Sequence, residues 1–148
     1  MAGMLDVSGT IHVDRPVADV FAFMDEPENQ AVITPSLTDV STVGQLDNGG
    51  KRATYTYSMV GVSLTGEVAA TTYDPDERIV FEMSGDLSGT IEWTFEAADG
   101  GTRVGYLATY EIPVPVGEAA VEPLVRKYNE RQLRSTLQNL KTTLEAEN

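Results

Sequence analysis

Residues 121–144 read VEPLVRKYNERQLRSTLQNLKTTL. Apolar residues at Val121, Val125, Leu133, Leu137, Leu140 and Leu144 fall at steps of three and four or their multiples, the period of a helix with one buried stripe. Steps that are mostly four make the stripe drift round the helix axis. A drifting stripe suits a helix held by a curved surface better than one lying on a flat sheet. Charges one turn apart, Glu122 with Arg126 and Glu130 with Arg134, are spaced to pair. The stripe is also interrupted. Where another apolar residue is due the chain has Asn129, with Tyr128, Gln132 and Thr136 as its neighbours. A polar group in a buried seam needs a partner. Two readings follow: a helix edge that meets solvent, or a helix whose middle borders a cavity.

The rest of the chain supplies the curved surface. Leu5 to Val13 alternates apolar and polar residues and predicts a strand. Asp14 is placed to cap a helix and Pro16 suits its first turn, after which Val17, Val20, Phe21 and Met24 line one face. That helix stops before Pro27, and a second short one runs from Glu28 to Ile33. Strands separated by turns come next: Leu37–Leu46, Arg52–Met59, Val62–Tyr73, Arg78–Met83, Leu87–Ala97 and Thr102–Ile112. Pro113 and Pro115 close the last of them. Turns as short as Asp47-Asn48-Gly49-Gly50, Asp74-Pro75-Asp76 and Asp99-Gly100-Gly101 make neighbouring strands pair antiparallel. The expectation is one α+β domain over residues 1–148: a curved antiparallel sheet of about seven strands around the long helix.

Outward acids set the phase of each strand. Glu82 outside puts Ile79, Phe81 and Met83 inside, and Glu92 and Glu96 outside put Ile91, Trp93 and Phe95 inside. Glu111 outside puts Val104, Tyr106, Ala108, Tyr110 and Ile112 inside. Glu67 does the same for Leu64, Gly66, Val68 and Ala70, and Arg52, Thr54 and Thr56 for Ala53, Tyr55, Tyr57 and Met59. The inner face therefore mixes large aromatics with Gly and Ala, a combination that either interdigitates or leaves a void. Inward tyrosines need hydrogen-bond partners. Together with Val125, Tyr128, Asn129 and Gln132 from the helix, Tyr55, Tyr57, Phe81, Trp93, Tyr106 and Tyr110 are the expected ligand-binding residues. Aromatic walls with a few polar points are the usual make-up of a small-molecule site.

Composition narrows the function. With 23 acidic and 10 basic residues the net charge is −13, which repels nucleic acid and anionic membranes. Only Lys51, Lys127 and Lys141 are lysines, and the acids are spread along the whole chain. This pattern is that of a cytoplasmic protein of an extreme halophile, the alternative being an acidic protein of ordinary salt. There is no cysteine, and no apolar run spans a membrane. Met1-Ala2-Gly3-Met4 lacks a signal-peptide pattern, so the expected location is the cytoplasm. His12 is the only histidine and falls on the outward face of the first strand. Asp25, Glu26 and Glu28 at the end of the first helix read as solvated. No metal-ligand cluster or phosphate-binding loop appears, and no cofactor is expected. If there is catalysis, tyrosine hydroxyls are the best-placed acids or oxyanion donors.

Three stretches resemble the START, birch-pollen-allergen and polyketide cyclase/dehydrase superfamily (SRPBCC), whose fold is the helix grip. Asp14-Arg15-Pro16-Val17-Ala18-Asp19-Val20-Phe21 is similar to the entry of the first helix, and Asp25-Glu26-Pro27-Glu28-Asn29 to the turn between the short helices. Leu133-Arg134-Ser135-Thr136-Leu137-Gln138-Asn139-Leu140-Lys141-Thr142-Thr143-Leu144-Glu145 resembles the end of the long helix. The resemblance covers the whole chain and rests on packing and turn residues. It implies a deep cavity between sheet and helix for a lipid, polyketide, sterol or other hydrophobic molecule. In the second short helix many members carry a tryptophan, where this chain has Ala31-Val32-Ile33. The first expectation is binding of a small hydrophobic ligand of lipid, polyketide or isoprenoid type. The second is a polyketide cyclase or dehydratase that uses cavity tyrosines, and the third an accessory subunit of a larger enzyme. Expected partners are the ligand, with no nucleic acid and no stable membrane insertion; a homodimer or a protein partner is left open.

Overall fold

The structure is a computed structural model that describes residues 4–59, 61–111 and 122–146. Strand β1 (Met4–Val13) leads into two short helices, α1 (Val17–Asp25) and α2 (Pro27–Ile33). Six strands follow: β2 (Leu37–Gln45), β3 (Lys51–Met59), β4 (Val62–Asp74), β5 (Arg78–Gly85), β6 (Gly89–Ala98) and β7 (Gly101–Glu111). The long helix α3 (Glu122–Glu145) comes after them. The expected Val121, Ile112, Pro113 and Pro115, and the side chain of Met59, lie outside the described residues.

The strands form one seven-stranded antiparallel sheet in the order β1-β7-β6-β5-β4-β3-β2. Its hairpins are made by residues that accept a left-handed backbone. Asp99 and Gly100 both have positive φ, 48° and 79°, as a two-residue turn between twisted strands requires. Curvature comes from bulges between Ala70 and Thr72 in β4 and at two places in β2. A bulge adds a residue to one strand and bends it. β1 returns to pair with β7 from Met4↔Glu111 to Val13↔Thr102, which sets it at one edge of the sheet.

Helix α3 lies in the concavity. Val125, Leu133, Leu137, Leu140 and Leu144 are all buried. The helix approaches β1 at Gly9, where a Cβ would stand 3.2 Å from Leu137 Cδ1 and 3.3 Å from Leu133 Cδ2. Its later turns are tied to the short elements. Asn139 Nδ2 donates to the Ile33 carbonyl at the end of α2 (2.9 Å), and Arg15 Nη1 donates to the Leu144 carbonyl (3.0 Å). Every strand phase read from outward acids holds wherever the side chains are described: Ala53, Tyr55, Leu64, Ala70, Ile79, Phe81, Trp93, Phe95, Val104 and Ala108 are buried.

Three local expectations fail. Asp14 does not cap α1: the N-cap position is Pro16, without a side-chain bond, and the Asp14 amide donates to Glu145 Oε2 (2.8 Å). Glu130 and Arg134 are both exposed and make no ion pair among the described residues. Held in water, such a pair gains too little to offset the ordering of two long side chains. The acids after α1 are not merely solvated. Asp25 Oδ2 accepts from Tyr73 Oη (2.8 Å), and Lys51 Nζ reaches Asp25 (3.4 Å) and Glu26 (2.9 Å). The Glu28 carboxylate accepts both the Thr42 amide and its hydroxyl, each at 2.8 Å. Those bonds hold its carboxyl below the usual range and occupy a free N–H of the edge strand β2.

Candidate functional site

Between the inner sheet face and α3 lies a partly enclosed cavity of about 130 Å³. Eight of the ten residues expected to line it do so. Tyr55 and Tyr57 come from β3, Phe81 from β5, Trp93 from β6, and Tyr106 and Tyr110 from β7. Asn129 and Gln132 come from α3. Their convergence has a simple origin. Period two in the strands and 3.6 in the helix each select one face, and the curved sheet turns both faces toward one volume. The Trp93 and Tyr106 rings meet edge to face with centroids 4.7 Å apart, which fixes the wall at the β6–β7 side.

Val125 and Tyr128 do not line the cavity. Val125 is fully buried in packed core and serves through its carbonyl, which accepts Asn129 Nδ2 (2.9 Å). Tyr128 is one residue from Asn129, about 100° round the helix, and its hydroxyl meets residues outside the lining. There it donates to the Ser58 carbonyl (3.2 Å) and lies 3.3 Å from Ser36 Oγ. The seam residue Asn129 is satisfied within the protein: its Oδ1 accepts from Tyr57 Oη at 2.9 Å. Gln132 Oε1 accepts from Ser36 Oγ at 2.5 Å. Asn129 is thus both internally bonded and a cavity wall, so neither a plain helix edge nor a solid seam describes it.

Part of the wall was missed. Pro27, Gln30 and Thr34 come from α2 and its end, Leu37 and Val40 from β2. A short helix reading PENQAVI opens with three polar residues after its proline, which look like a solvated turn. Leu87 was assigned to a strand, but it sits in the connection before β6, 4% exposed, and lines the cavity. No periodic signal marks a connector residue that folds inward.

Among the described residues the lining carries no Asp, Glu, Lys, Arg or His. Its polar points are amides, hydroxyls and one indole. Burial pushes the Tyr55 hydroxyl up to about 12, with the Asp86 charge adding to the effect. Burial also raises Tyr57, Tyr106 and Tyr110, and neighbouring phenols add to this for Tyr57 and Tyr110. These hydroxyls therefore stay protonated through neutral pH. They are good hydrogen-bond donors but weak proton donors. His12 is far from this chemistry: it lies on the outer face of β1, half-buried, with Nε2 2.9 Å from the Ala98 carbonyl. Among the described residues no cluster of His, Asp and Glu is arranged to hold a metal ion.

A family model described as polyketide cyclase / dehydrase and lipid transport matches residues 4–145. The chain belongs to this family. Solved structures with the same fold include a Thermus thermophilus protein, TTHA0849, at 21% identity and a TM-score of 0.82, covering 97% of this chain and 99% of that one. A START superfamily protein from Mycobacterium smegmatis aligns at 15% identity and a TM-score of 0.79, with 97% and 99% coverage. The Zhui aromatase/cyclase from a Streptomyces species aligns at 16% identity and a TM-score of 0.75, with 97% and 94% coverage. At such identities these likenesses carry the START-like, helix-grip fold and nothing finer. Among curated proteins none matches the chain. Among the described residues no helix is long and apolar enough to cross a membrane.

Proposed function

We propose that this protein binds a small, neutral, largely apolar molecule, of lipid, polyketide or isoprenoid type, between the sheet and α3. The observation that carries the reading is a cavity walled by aromatic and aliphatic side chains, with no charged group in its lining among the described residues. An apolar ligand entering it loses water-exposed surface, worth roughly 25 cal/mol per Å². A charged group would lose its hydration and find no counter-charge. Tyr55, Tyr57, Phe81, Trp93, Tyr106, Tyr110, Asn129 and Gln132 are the proposed contacts. The volume is close to the roughly 150 Å³ that accommodates a benzene ring. One ring enters without rearrangement, and a longer molecule needs the rim at Ser36, Ser58 and Tyr128 to open. Native mass spectrometry of protein purified from its own host tests this directly, together with titration followed by the emission of Trp93, the only tryptophan. A retained hydrophobic molecule and a saturable change in emission are expected. Protein that carries nothing, and whose emission responds to none of a panel of hydrophobic compounds, would overturn the reading.

The second reading, a polyketide cyclase or dehydratase, draws on the family description and on aromatase/cyclases among the structural neighbours. The cavity phenols could hydrogen-bond a reacting carbonyl, but among the described residues the lining offers no carboxylate, imidazole or amine as proton acceptor. Binding therefore stands first. Turnover of a poly-β-keto substrate would reverse the order, and stable co-purification with a larger complex would favour an accessory subunit.

We read the setting as a cytoplasm of high salt. A net charge of −13 strains the compact state by self-repulsion, which salt screens over a few ångströms. The melting temperature is expected to climb as potassium chloride rises from low to molar concentration. A flat or falling profile would remove the halophile reading and leave the cavity reading untouched.

A further inference from the structure

Two polar side-chain atoms are buried without any hydrogen-bond partner among the described residues: Tyr55 Oη and Trp93 Nε1. Both residues line the cavity, and their side chains are 6% and 3% exposed. An orphaned buried donor is costly, and native proteins keep few of them without a use. Elsewhere at the wall, Asn129 Oδ1 accepts from Tyr57 Oη, Gln132 Oε1 accepts from Ser36 Oγ, and Gln30 Nε2 donates to the Met24 carbonyl. An indole N–H only donates, so what faces Trp93 must accept. A phenol gives or takes.

The strand register separates the two atoms. Tyr55 stands opposite Gly66, which stands opposite Gly85, whereas Trp93 stands opposite Ile79 on the same strand β5. Gly66 leaves the Tyr55 ring room: a Cβ there would lie 2.9 Å from Tyr55 Oη. One ligand atom does not serve both donors.

We propose that Trp93 Nε1 and Tyr55 Oη are specificity-determining hydrogen-bonding groups that select a neutral ligand bearing acceptor oxygens, such as a ketone, ester or ether, over a hydrocarbon or a carboxylate. This rests on the binding reading above and sharpens its ligand class. A hydrocarbon leaves both atoms orphaned. A carboxylate supplies acceptors but gives up its hydration with no cation among the described residues of the lining.

Three probes of one shape separate the cases: tetralin, α-tetralone and the tetralin carboxylate, measured by calorimetry. On the wild-type protein the ketone is expected to bind about fivefold or more tighter than the hydrocarbon, the scale of one net hydrogen bond, and the carboxylate more weakly than both. The ketone-to-hydrocarbon ratio is expected to fall in whichever of Trp93→Phe and Tyr55→Phe removes the group that the single carbonyl reaches, and to approach one in the double variant. Because the chain has a single tryptophan, its indole N–H gives one proton resonance. Saturating the wild type with a probe whose carbonyl reaches Trp93 should move that resonance downfield, and tetralin should not, a readout that needs no variant. A ratio near one in the wild type, an unchanged ratio in the double variant, or a carboxylate that binds as well as the ketone would each overturn the proposal while leaving the binding reading standing. Failure of all three probes to bind would overturn the proposal, and would remove the binding reading as well if protein from its own host carries no ligand.

Discussion

Between pH 10 and 12 the protein is expected to unfold in one cooperative step. An ordinary tyrosine ionises near 10.0, and burial holds Tyr57, Tyr106 and Tyr110 above that value in the folded state. The unfolded chain releases these protons as the pH passes 10, while the folded chain keeps them. Their contribution is therefore fully present below pH 10 and is lost as the pH rises above it. Each such group removes about 1.4 kcal/mol of stability per pH unit. For the three together the loss is roughly 4 kcal/mol per unit, against a total of about 5–15 kcal/mol for an ordinary domain. Loss of lysine charge on a chain already at −13 adds repulsion in the same range. Phenolate absorbance and the circular dichroism of the sheet, followed together at fixed salt, check this. The two signals should change over the same pH interval, and Tyr106→Phe should move it upward. Phenolate appearing gradually near pH 10 with the sheet intact would show that these hydroxyls are open to solvent.

The order of elements was readable because each one carries its own period. In β7 a single outward acid, Glu111, fixed the phase of Val104, Tyr106, Ala108 and Tyr110, since alternate residues of a strand share a face. In α3 the leucines did the same at helical spacing, and the asparagine in their row marked the place where the buried surface changes character. What the periods do not contain is how far one element reaches over another. Gln30 and Thr34 line the cavity from α2 and its end, a placement that no local pattern encodes. Leu87 is inside because Gly85 and Gly89, both with positive φ, turn the connection back over the sheet. Tyr128 failed as a wall residue. One residue along the helix is a turn of about 100°, and the Tyr128 hydroxyl is engaged by the Ser58 carbonyl, outside the lining.

Asn129 and Tyr57 are expected to be strongly coupled, and a double-mutant cycle should show it. The Tyr57 hydroxyl donates to Asn129 Oδ1, and Asn129 Nδ2 donates one turn back to the Val125 carbonyl. Replacing Asn129 with Leu removes the acceptor and leaves the Tyr57 hydroxyl without this partner in an apolar site, at a cost of about 1–3 kcal/mol. Tyr57→Phe leaves the amide oxygen short of a donor at a similar order of cost. With both changes the polar pair is gone, and nothing buried is left asking for the other. The double variant should then be destabilised by less than the sum of the single variants, with a coupling of about 1–2 kcal/mol. Denaturant midpoints of the four proteins supply the measurement. Additive costs would mean that the two side chains do not depend on each other, and the asparagine would have to owe its place in the apolar row to something else. A coupling of the expected size explains why an asparagine interrupts the leucines. It anchors the phenol of β3 to α3 across the cavity, holding sheet and helix at a fixed spacing while the volume beside Trp93 stays open.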